Sequence, residues 1–484
     1  MFNKKILCLG SNNIDTDIKT TELADKNQTK NHGLIDDYKF IPNNPGYYHT
    51  SIVDMSFGDI VNLSKNFNTV VLLDQSIEQW EYVSLLHQTF QIMLKLDKMG
   101  HDTNYINNNN IKHLLNSNYC SAVDTGLFVS TQGRVGLCCS GSEPLGNIRQ
   151  QSIKDIFAKS KFPEIKSTLK NNQPHEYCSG CNRTELQAPG SSQRSAFNDQ
   201  FPSPTKREIK LIDVRWSNVC NLTCRYCNVY DSSEWSRVMN IPVPSVNRNY
   251  TESLFEEIEE NRNTIECVYL LGGEPLMQKH NERLLDIVNP EVKIDVLTNL
   301  SVKLDKNKVY EKLKKFPTVL WNLSFDNVGD RFEYVRQGGK WDILTDNIRR
   351  LCDDFGAHRV TFHPVYSIWN ALNLKEYYEF AATQNFKITW QMALAKSDIH
   401  NLETDSFITF GHKSSIIDLA IKEIESINVT DSIVDGIKQS LINNVEIPNK
   451  DRDFLTWTQR SEREIPPNKP FHLLWPELNK LLTT

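Results

Sequence analysis

Between residues 208 and 395, short apolar runs rich in Val, Ile and Leu alternate with acidic or amphipathic stretches. That alternation constrains the fold more than any other feature of the chain. The strand candidates are 211–216, 267–271, 294–298, 319–324, 359–363 and 386–390, with helical segments such as 252–262 and 341–353 between them. Strands joined through helices are expected to run parallel, because a parallel pair needs a long crossover connection. Six such units predict an α/β architecture with a parallel sheet and covering helices. In α/β barrels the working face lies at the C-terminal ends of the strands. Residues immediately after each strand are therefore the first candidates for chemistry.

The first strand runs into Cys220-Asn-Leu-Thr-Cys224-Arg-Tyr-Cys227. A short loop with this spacing can wrap three thiolates around one iron–sulfur cube, and with no fourth cysteine one iron stays open for a ligand. An open coordination position marks a metal site that does chemistry rather than one that only holds structure. A zinc knuckle lacking its fourth ligand and three incidental core thiols are the alternatives. The chain has eleven cysteines, most in CxxxC, CxxC and CC groupings, which read as metal ligands in a reducing cytosol rather than a secreted disulfide framework. A cytoplasmic location is expected. The net charge of −6 offers no electrostatic reason to bind nucleic acid. No apolar run approaches the ~20 residues that span a bilayer, and the apolar run near Met1 is too short for a signal peptide.

The cysteine loop, with the aromatic Tyr226 before its last cysteine, resembles the cluster-binding loop of the radical S-adenosylmethionine (SAM) enzymes. The resemblance implies a partial (β/α)6 barrel, a [4Fe–4S] cluster on the catalytic cysteines Cys220, Cys224 and Cys227, and SAM chelating the open iron. It also implies reductive cleavage of SAM to a 5′-deoxyadenosyl radical that abstracts hydrogen from a substrate. The second strand ends in Gly272-Gly273-Glu274-Pro275, matching the GGEP motif of that family. Glycines there let backbone approach a ligand, and Glu274 suits the SAM amino group. Asn299, after strand three, and Ser324 and Asp326, after strand four, resemble polar SAM-lining positions. Ser324 and Asp326 suit the ribose hydroxyls or SAM carboxylate, with helix capping as the other reading. Arg336 suits the SAM carboxylate as a two-pronged donor, with a solvated surface arginine as its alternative. Asn370 resembles a further polar position of relatives that carry an extra cluster.

A second cysteine group stands upstream at Cys120, Cys138, Cys139, Cys178 and Cys181, in the pattern Cx12Gx4C through Gly133 followed by a distant CxxC. This resembles the SPASM/twitch iron–sulfur module, which implies an auxiliary [4Fe–4S] cluster on Cys120, Cys138, Cys178 and Cys181. Gly133 fits a hairpin turn. Here the module precedes the barrel instead of following it. A structural zinc site on the same four thiolates is the rival reading, and Cys139 has no assigned role.

The expected organisation is a small α/β domain over 1–110, the cysteine-rich module over 111–190 and a linker over 191–207 rich in Pro, Ser and Gly. The barrel follows over 208–398, then a helical extension over 399–484. In the first domain, runs at 5–9 and 69–73 read as strands. Trp80, Val83, Leu86, Phe90 and Met93 form the stripe of an amphipathic helix. Ser11–Asn13 after the first run read as a turn, and the Asn-rich stretch 104–110 as a boundary. Cys8, Cys267 and Cys352 are expected to be buried thiols, and His363 a core histidine. The expected partners are an unidentified small-molecule or peptide substrate and a reductase or flavodoxin-like electron donor, with no membrane and no nucleic acid. The contrasting function is a non-catalytic iron–sulfur or zinc protein built on a radical SAM scaffold.

Overall fold

The computed structural model describes residues 6–10, 39–40, 47–51, 69–72 and 118–484, apart from 188–189, 191, 203, 243–247, 384–385, 390, 393–408, 428–431 and 443. The chain divides into two compact units, one of residues 1–121, 140–142 and 164–203, the other of 122–139, 143–163 and 204–484. This division differs from the expected boundaries. Residues 122–139 and 143–163, expected in a separate module, cluster with the barrel.

In the first unit, the runs near residues 5 and 69 form strands β1 (Ile6–Gly10) and β4 (Thr69–Leu72), joined by β2 (Lys39–Phe40) and β3 (Tyr47–Ser51) in the order β2-β3-β1-β4. β1 lies parallel to β3 and β4, while β2 pairs antiparallel with β3. The helix expected around Trp80 to Met93, the turn at Ser11–Asn13, the Asn-rich stretch and the side chain of Cys8 lie outside the described residues.

The second unit is built on one sheet. Its strands are β5 (Gly126–Val129), β6 (Arg134–Gly136), β7 (Gly146–Asn147), β8 (Leu211–Val214), β9 (Cys267–Leu270), β10 (Lys293–Thr298), β11 (Val319–Leu323), β12 (Val360–Phe362) and β14 (Lys387–Ile388). The order is β14-β12-β11-β10-β9-β8-β5-β6-β7. A separate pair, β13 (Val365–Tyr366) with β15 (Gln391–Met392), follows the fifth barrel strand. The six strands read from the sequence are all present, consecutive and parallel. β8, β9, β11 and β12 stop one or two residues before the ends of their apolar runs, where the chain turns into the loops that build the site, while β10 ends at Thr298 as expected.

Alternation sets the two faces. In β10 and β11 the buried residues Ile294, Val296, Val319, Trp321 and Leu323 join the core. The intervening positions include Asp295 and Asn322, which hydrogen-bond to each other. The covering helices offer apolar stripes at helical spacing. Leu254, Phe255 and Ile258 do so on helix Arg248–Glu260, and Leu344, Ile348 and Leu351 on helix Trp341–Phe355. The latter helix stops at Gly356, whose φ of +89° is costly for a residue with a Cβ.

The hairpin expected at Gly133 forms between β5 and β6, with Gly133 at φ +78° donating its N–H to Ser130 O at 2.8 Å. It extends the sheet because β5 runs parallel to β8, Gly126 opposite Leu211. At the other end of the chain lie helices Ser414–Ser426, Ser432–Ile442, Lys450–Glu464, Phe471–Leu474 and Pro476–Thr483. A second apolar cluster joins this extension to Trp235, Tyr334, Val335, Ile368 and Trp369 of the barrel unit. Trp369 and Phe454 have ring centroids 4.9 Å apart. No helix of the described residues is long and apolar enough to cross a membrane.

Candidate functional site

Strand β8 delivers the cysteine loop, and the loop is fastened from all sides. The Cys220 N–H donates to Ser233 Oγ at 3.1 Å, and Trp235 Nε1 donates to the Cys224 carbonyl at 2.8 Å. Arg225, fully buried, donates from Nη2 to Ile465 O of the helical extension at 3.1 Å and stacks over Tyr334 at 4.6 Å. Its backbone N–H donates to Val335 O at 2.8 Å, and the Thr223 N–H to Gln337 O at 2.9 Å.

The GGEP turn after β9 rests directly on this loop. Gly272 and Gly273 have φ of +84° and +54°. A Cβ on Gly273 would lie 2.2 Å from Val219 O, and one on Gly272 would lie 2.5 Å from Arg215 Cβ. Close approach and left-handed backbone therefore both demand glycine here. The Glu274 N–H donates to Val219 O at 2.8 Å. Pro275 opens the short 3-10 turn Pro275–Met277, where its missing N–H costs nothing.

Glu274 is fully buried. Its Oε1 accepts from Thr298 Oγ1 at 2.7 Å and from Leu276 N at 3.1 Å, and its Oε2 accepts from Asn299 N at 2.9 Å. The carboxylate thus ties the end of β9 to the end of β10. Burial pushes its pKa up to about 7, against those three donors. Asn299 reaches onward, its Nδ2 donating to Cys220 Sγ at 3.7 Å and to Asn221 Oδ1 at 3.1 Å. Ser324, half-buried after β11, donates its N–H to Thr298 O at 2.8 Å.

Two residues later, Asp326 is wholly buried and spent on protein partners. It accepts from the Tyr226 hydroxyl, from Val365 N at 2.8 Å, and from Arg336 through Nε at 2.9 Å and Nη2 at 3.4 Å. The remaining corner of that guanidinium, Nη1, lies 3.9 Å from Cys224 Sγ. Asn370 Nδ2 donates to the Asp326 carbonyl at 3.3 Å and to Val365 O at 2.8 Å. Asp326 and Arg336, expected to meet SAM, thus meet each other and the cysteine loop.

The donor set fits an iron–sulfur cluster. Cys220 lies close enough to feel the charge of Cys224, and Cys227 feels those of Cys224 and Cys220. Burial pushes Cys220 up to about 12, with Cys224 adding to the shift, and burial also raises Cys224 and Cys227. Thiols that resist ionising alone are matched by a polycationic group that deprotonates them outright. Two polar donors, Asn299 Nδ2 and Arg336 Nη1, already point at their sulfurs. Among the described residues no three His, Cys, Asp or Glu side chains have closed to metal-ligand geometry.

Several contributors carried no sequence signal. Gln278 Oε1 accepts from Ser217 Oγ at 2.7 Å, while its Nε2 donates to the carbonyls of Ser217, Val219 and Gly272 at 3.2–3.3 Å, stitching the GGEP turn to the cysteine loop. Asn221, Trp235 and Arg225 likewise carry no signal of their roles in the sequence. His363 is half-buried at the end of β12, Cys267 is fully buried as expected, and Cys352 is half-buried against the core.

The upstream cysteines divide between the units: Cys120, Cys178 and Cys181 fall in the first, Cys138 and Cys139 in the second. In the first unit the turn Glu176–Cys178 enters helix Ser179–Gln187, capped where His175 Nδ1 accepts from Tyr177 N at 3.0 Å. Segment 140–142 is pinned to this turn by Ser142, whose N–H donates to Tyr177 O at 2.9 Å and whose Oγ donates to Glu176 O at 3.0 Å. Cys120, Cys178 and Cys181 are all buried. Burial pushes Cys178 up to about 11, opposed by the Arg194 guanidinium within hydrogen-bond reach. Arg194 is buried in turn and donates to Asn182 Oδ1.

A family model for the radical SAM superfamily matches residues 214–381, and one for the SPASM iron–sulfur cluster-binding domain matches 120–182. The iron–sulfur domain therefore lies N-terminal to the radical SAM domain. A radical SAM domain implies a [4Fe–4S] cluster and SAM, and a SPASM domain implies an auxiliary cluster. The radical SAM cyclopropyl synthase TigE of Paramaledivibacter caminithermalis is 31% identical over 160 residues, covering 30% of this chain and 33% of that protein. The chain thus spans about a third of the length of this curated relative. Similar solved structures include native anSMEcpe with bound AdoMet, at 15% identity and a TM-score of 0.33 over 45% of this chain and 59% of the other. Streptococcus suis SuiB bound to SAM gives 15% identity and a TM-score of 0.34 over 57% and 60%.

Proposed function

We propose that this protein is a radical SAM enzyme. Its barrel would hold a [4Fe–4S] cluster on Cys220, Cys224 and Cys227 and bind SAM at the open iron, at the C-terminal ends of the strands. The observation that carries the reading is the knit of three strand-end loops around one thiol set. The GGEP backbone touches Val219, Glu274 ties β9 to β10, and Asn299 closes the ring at Cys220 Sγ. When bound, the cluster and SAM supply the electron and the deoxyadenosyl group that abstracts hydrogen.

The chain's own residues supply position. Gly272 and Gly273 let the GGEP turn pack directly against Arg215 and Val219 at the start of the cysteine loop. Glu274, Asn299 and Ser324 are the polar groups assigned to the SAM amino group and ribose. Tyr226 is held by Asp326, which fixes the orientation of the loop's last turn. Cys120, Cys138, Cys178 and Cys181 are assigned an auxiliary [4Fe–4S] cluster. The substrate class is an unidentified small molecule or peptide, the electron donor a reductase or flavodoxin-like protein, and the setting a reducing cytoplasm.

The test is anaerobic reconstitution, reduction and addition of SAM. The expected outcome is slow 5′-deoxyadenosine formation without substrate, with SAM perturbing the spectrum of the Cys220 loop cluster. A reduced cluster that neither binds nor cleaves SAM would leave a non-catalytic scaffold. Zinc in place of iron at the upstream cysteines would reject the auxiliary cluster and leave the radical chemistry standing.

A further inference from the structure

The cysteine loop and the segment around Arg336 lie side by side in fixed register. Thr223 and Arg225, the neighbours of Cys224, donate their N–H groups to Gln337 and Val335, the neighbours of Arg336, at 2.9 and 2.8 Å. Cys224 and Arg336 are therefore held opposite each other by backbone on both sides. The guanidinium has little freedom: it faces the Tyr226 ring at 5.2 Å, grips Asp326 with two nitrogens and leaves Nη1 at 3.9 Å from Cys224 Sγ. Asp326 is held just as firmly by the Tyr226 hydroxyl and Val365 N. A positive charge is thus fixed beside one ligand sulfur, and a buried negative charge is fixed behind it.

Cluster potentials respond to net charge, to hydrogen bonds on the sulfurs and to burial. In a buried site a fixed charge acts with little screening from water. We propose that Arg336 and Asp326 act as an opposed pair of positioning residues that set the reduction potential of the cluster on Cys220, Cys224 and Cys227. Arg336 raises it by stabilising the reduced, more negative state. Asp326 lowers it, and its grip decides how much of the arginine's charge reaches Cys224. This inference rests on the proposed radical SAM reading and assigns Arg336 a task other than pairing with the SAM carboxylate.

The test is an EPR-monitored redox titration of the anaerobically reconstituted full chain without SAM, following the signal that SAM addition later perturbs. Arg336→Gln is expected to shift the potential negative, changing the reduced-to-oxidised ratio at fixed potential about tenfold, or about 59 mV for a one-electron couple. Asp326→Asn is expected to shift it positive. A purely structural role gives no such opposition, because loosening the loop from either side acts in one direction. Shifts of the same sign, or none at unchanged iron content, overturn the proposal. Should Asp326→Asn hold no cluster, Arg336→Lys decides. A potential nearer wild type than that of Arg336→Gln supports the charge effect, and equal falls overturn it. A wild-type chain lacking any SAM-perturbed cluster instead overturns the proposed function itself, and this inference with it.

Discussion

The Cys220–Cys227 loop and the Cys178–Cys181 turn use one device with different counter-groups. Each sets a buried arginine against a buried cysteine, Arg336 at Cys224 and Arg194 at Cys178. Arg336 is gripped by a carboxylate, Asp326, whereas Arg194 donates to a neutral amide, Asn182. The two sites thus differ in this one contact, even though both are thiol sets in protein interior, and an added carboxylate at either would weaken the arginine's field at the sulfur.

Breaking the two sites one at a time gives the largest effect. Replacing Cys220, Cys224 and Cys227 together with alanine is expected to remove about four of about eight irons and all SAM cleavage. Replacing Cys178 and Cys181 removes the other four and leaves the SAM-perturbed signal. Iron and sulfide analysis beside 5′-deoxyadenosine assay checks both. Loss of all iron in either variant would mean that the sites do not assemble independently.

Two glycines sharpen the contrast at the backbone. Gly273→Ala meets Val219 O at 2.2 Å with φ at +54°, so strain and overlap combine, and a loss of about 3 kcal/mol or more is expected. Gly190 in the first unit has φ +81°, but among the described residues nothing lies within 4 Å of a Cβ placed there. Gly190→Ala then costs only the left-handed conformation, about 1 kcal/mol. Chemical denaturation of the two apo variants measures the difference, and equal losses would show that the GGEP turn can move away from the cysteine loop.

What could be read from sequence follows from the range of the interaction. The six barrel strands were legible because short apolar runs such as 294–298 are a local signal, and the cysteine loop because its ligands lie within eight residues. The GGEP turn was legible as a glycine pair, though not what the glycines avoid. Asp326 was placed at the right strand end, but its partners Tyr226, Arg336 and Val365 come from three other segments. Gln278 looks like any helix-flanking glutamine until three carbonyls converge on it. Leu300, with φ +50°, has no residue-type signal for a left-handed turn. The pairing of β5 with β8 crosses more than eighty residues, so the cysteine pattern alone grouped residues 122–163 with the upstream module.

The carboxylate side can be examined through pH. Glu274 has its pKa raised by burial from 4.5 to about 7, so the folded apo protein favours the protonated acid. The linked stabilisation is fully present below about 4.5 and is lost as pH rises through about 7. At about 1.4 kcal/mol per unit the swing is roughly 3 kcal/mol. Urea denaturation of the apo chain is expected to show stability falling across that window, and Glu274→Gln to remove that part of the slope. An unchanged slope would mean that Thr298, Asn299 and Leu276 already hold Glu274 ionised.

The smallest change tests the comparison itself. Asn182→Asp adds a carboxylate where Arg194 now donates to an amide, converting the upstream site to the Asp326–Arg336 arrangement. If the counter-group is what distinguishes the sites, this substitution lowers the potential of the upstream cluster by about one decade in the reduced-to-oxidised ratio, about 59 mV. Arg194→Gln should lower the upstream potential by a similar amount, because each variant removes one unit of net positive charge near Cys178. Asn182→Ala should leave it nearly unchanged, because the amide carries no charge. An Asn182→Asp potential equal to wild type, at full iron content, would show that the arginine's charge does not reach the sulfur. The likeness between the two sites would then be one of packing alone.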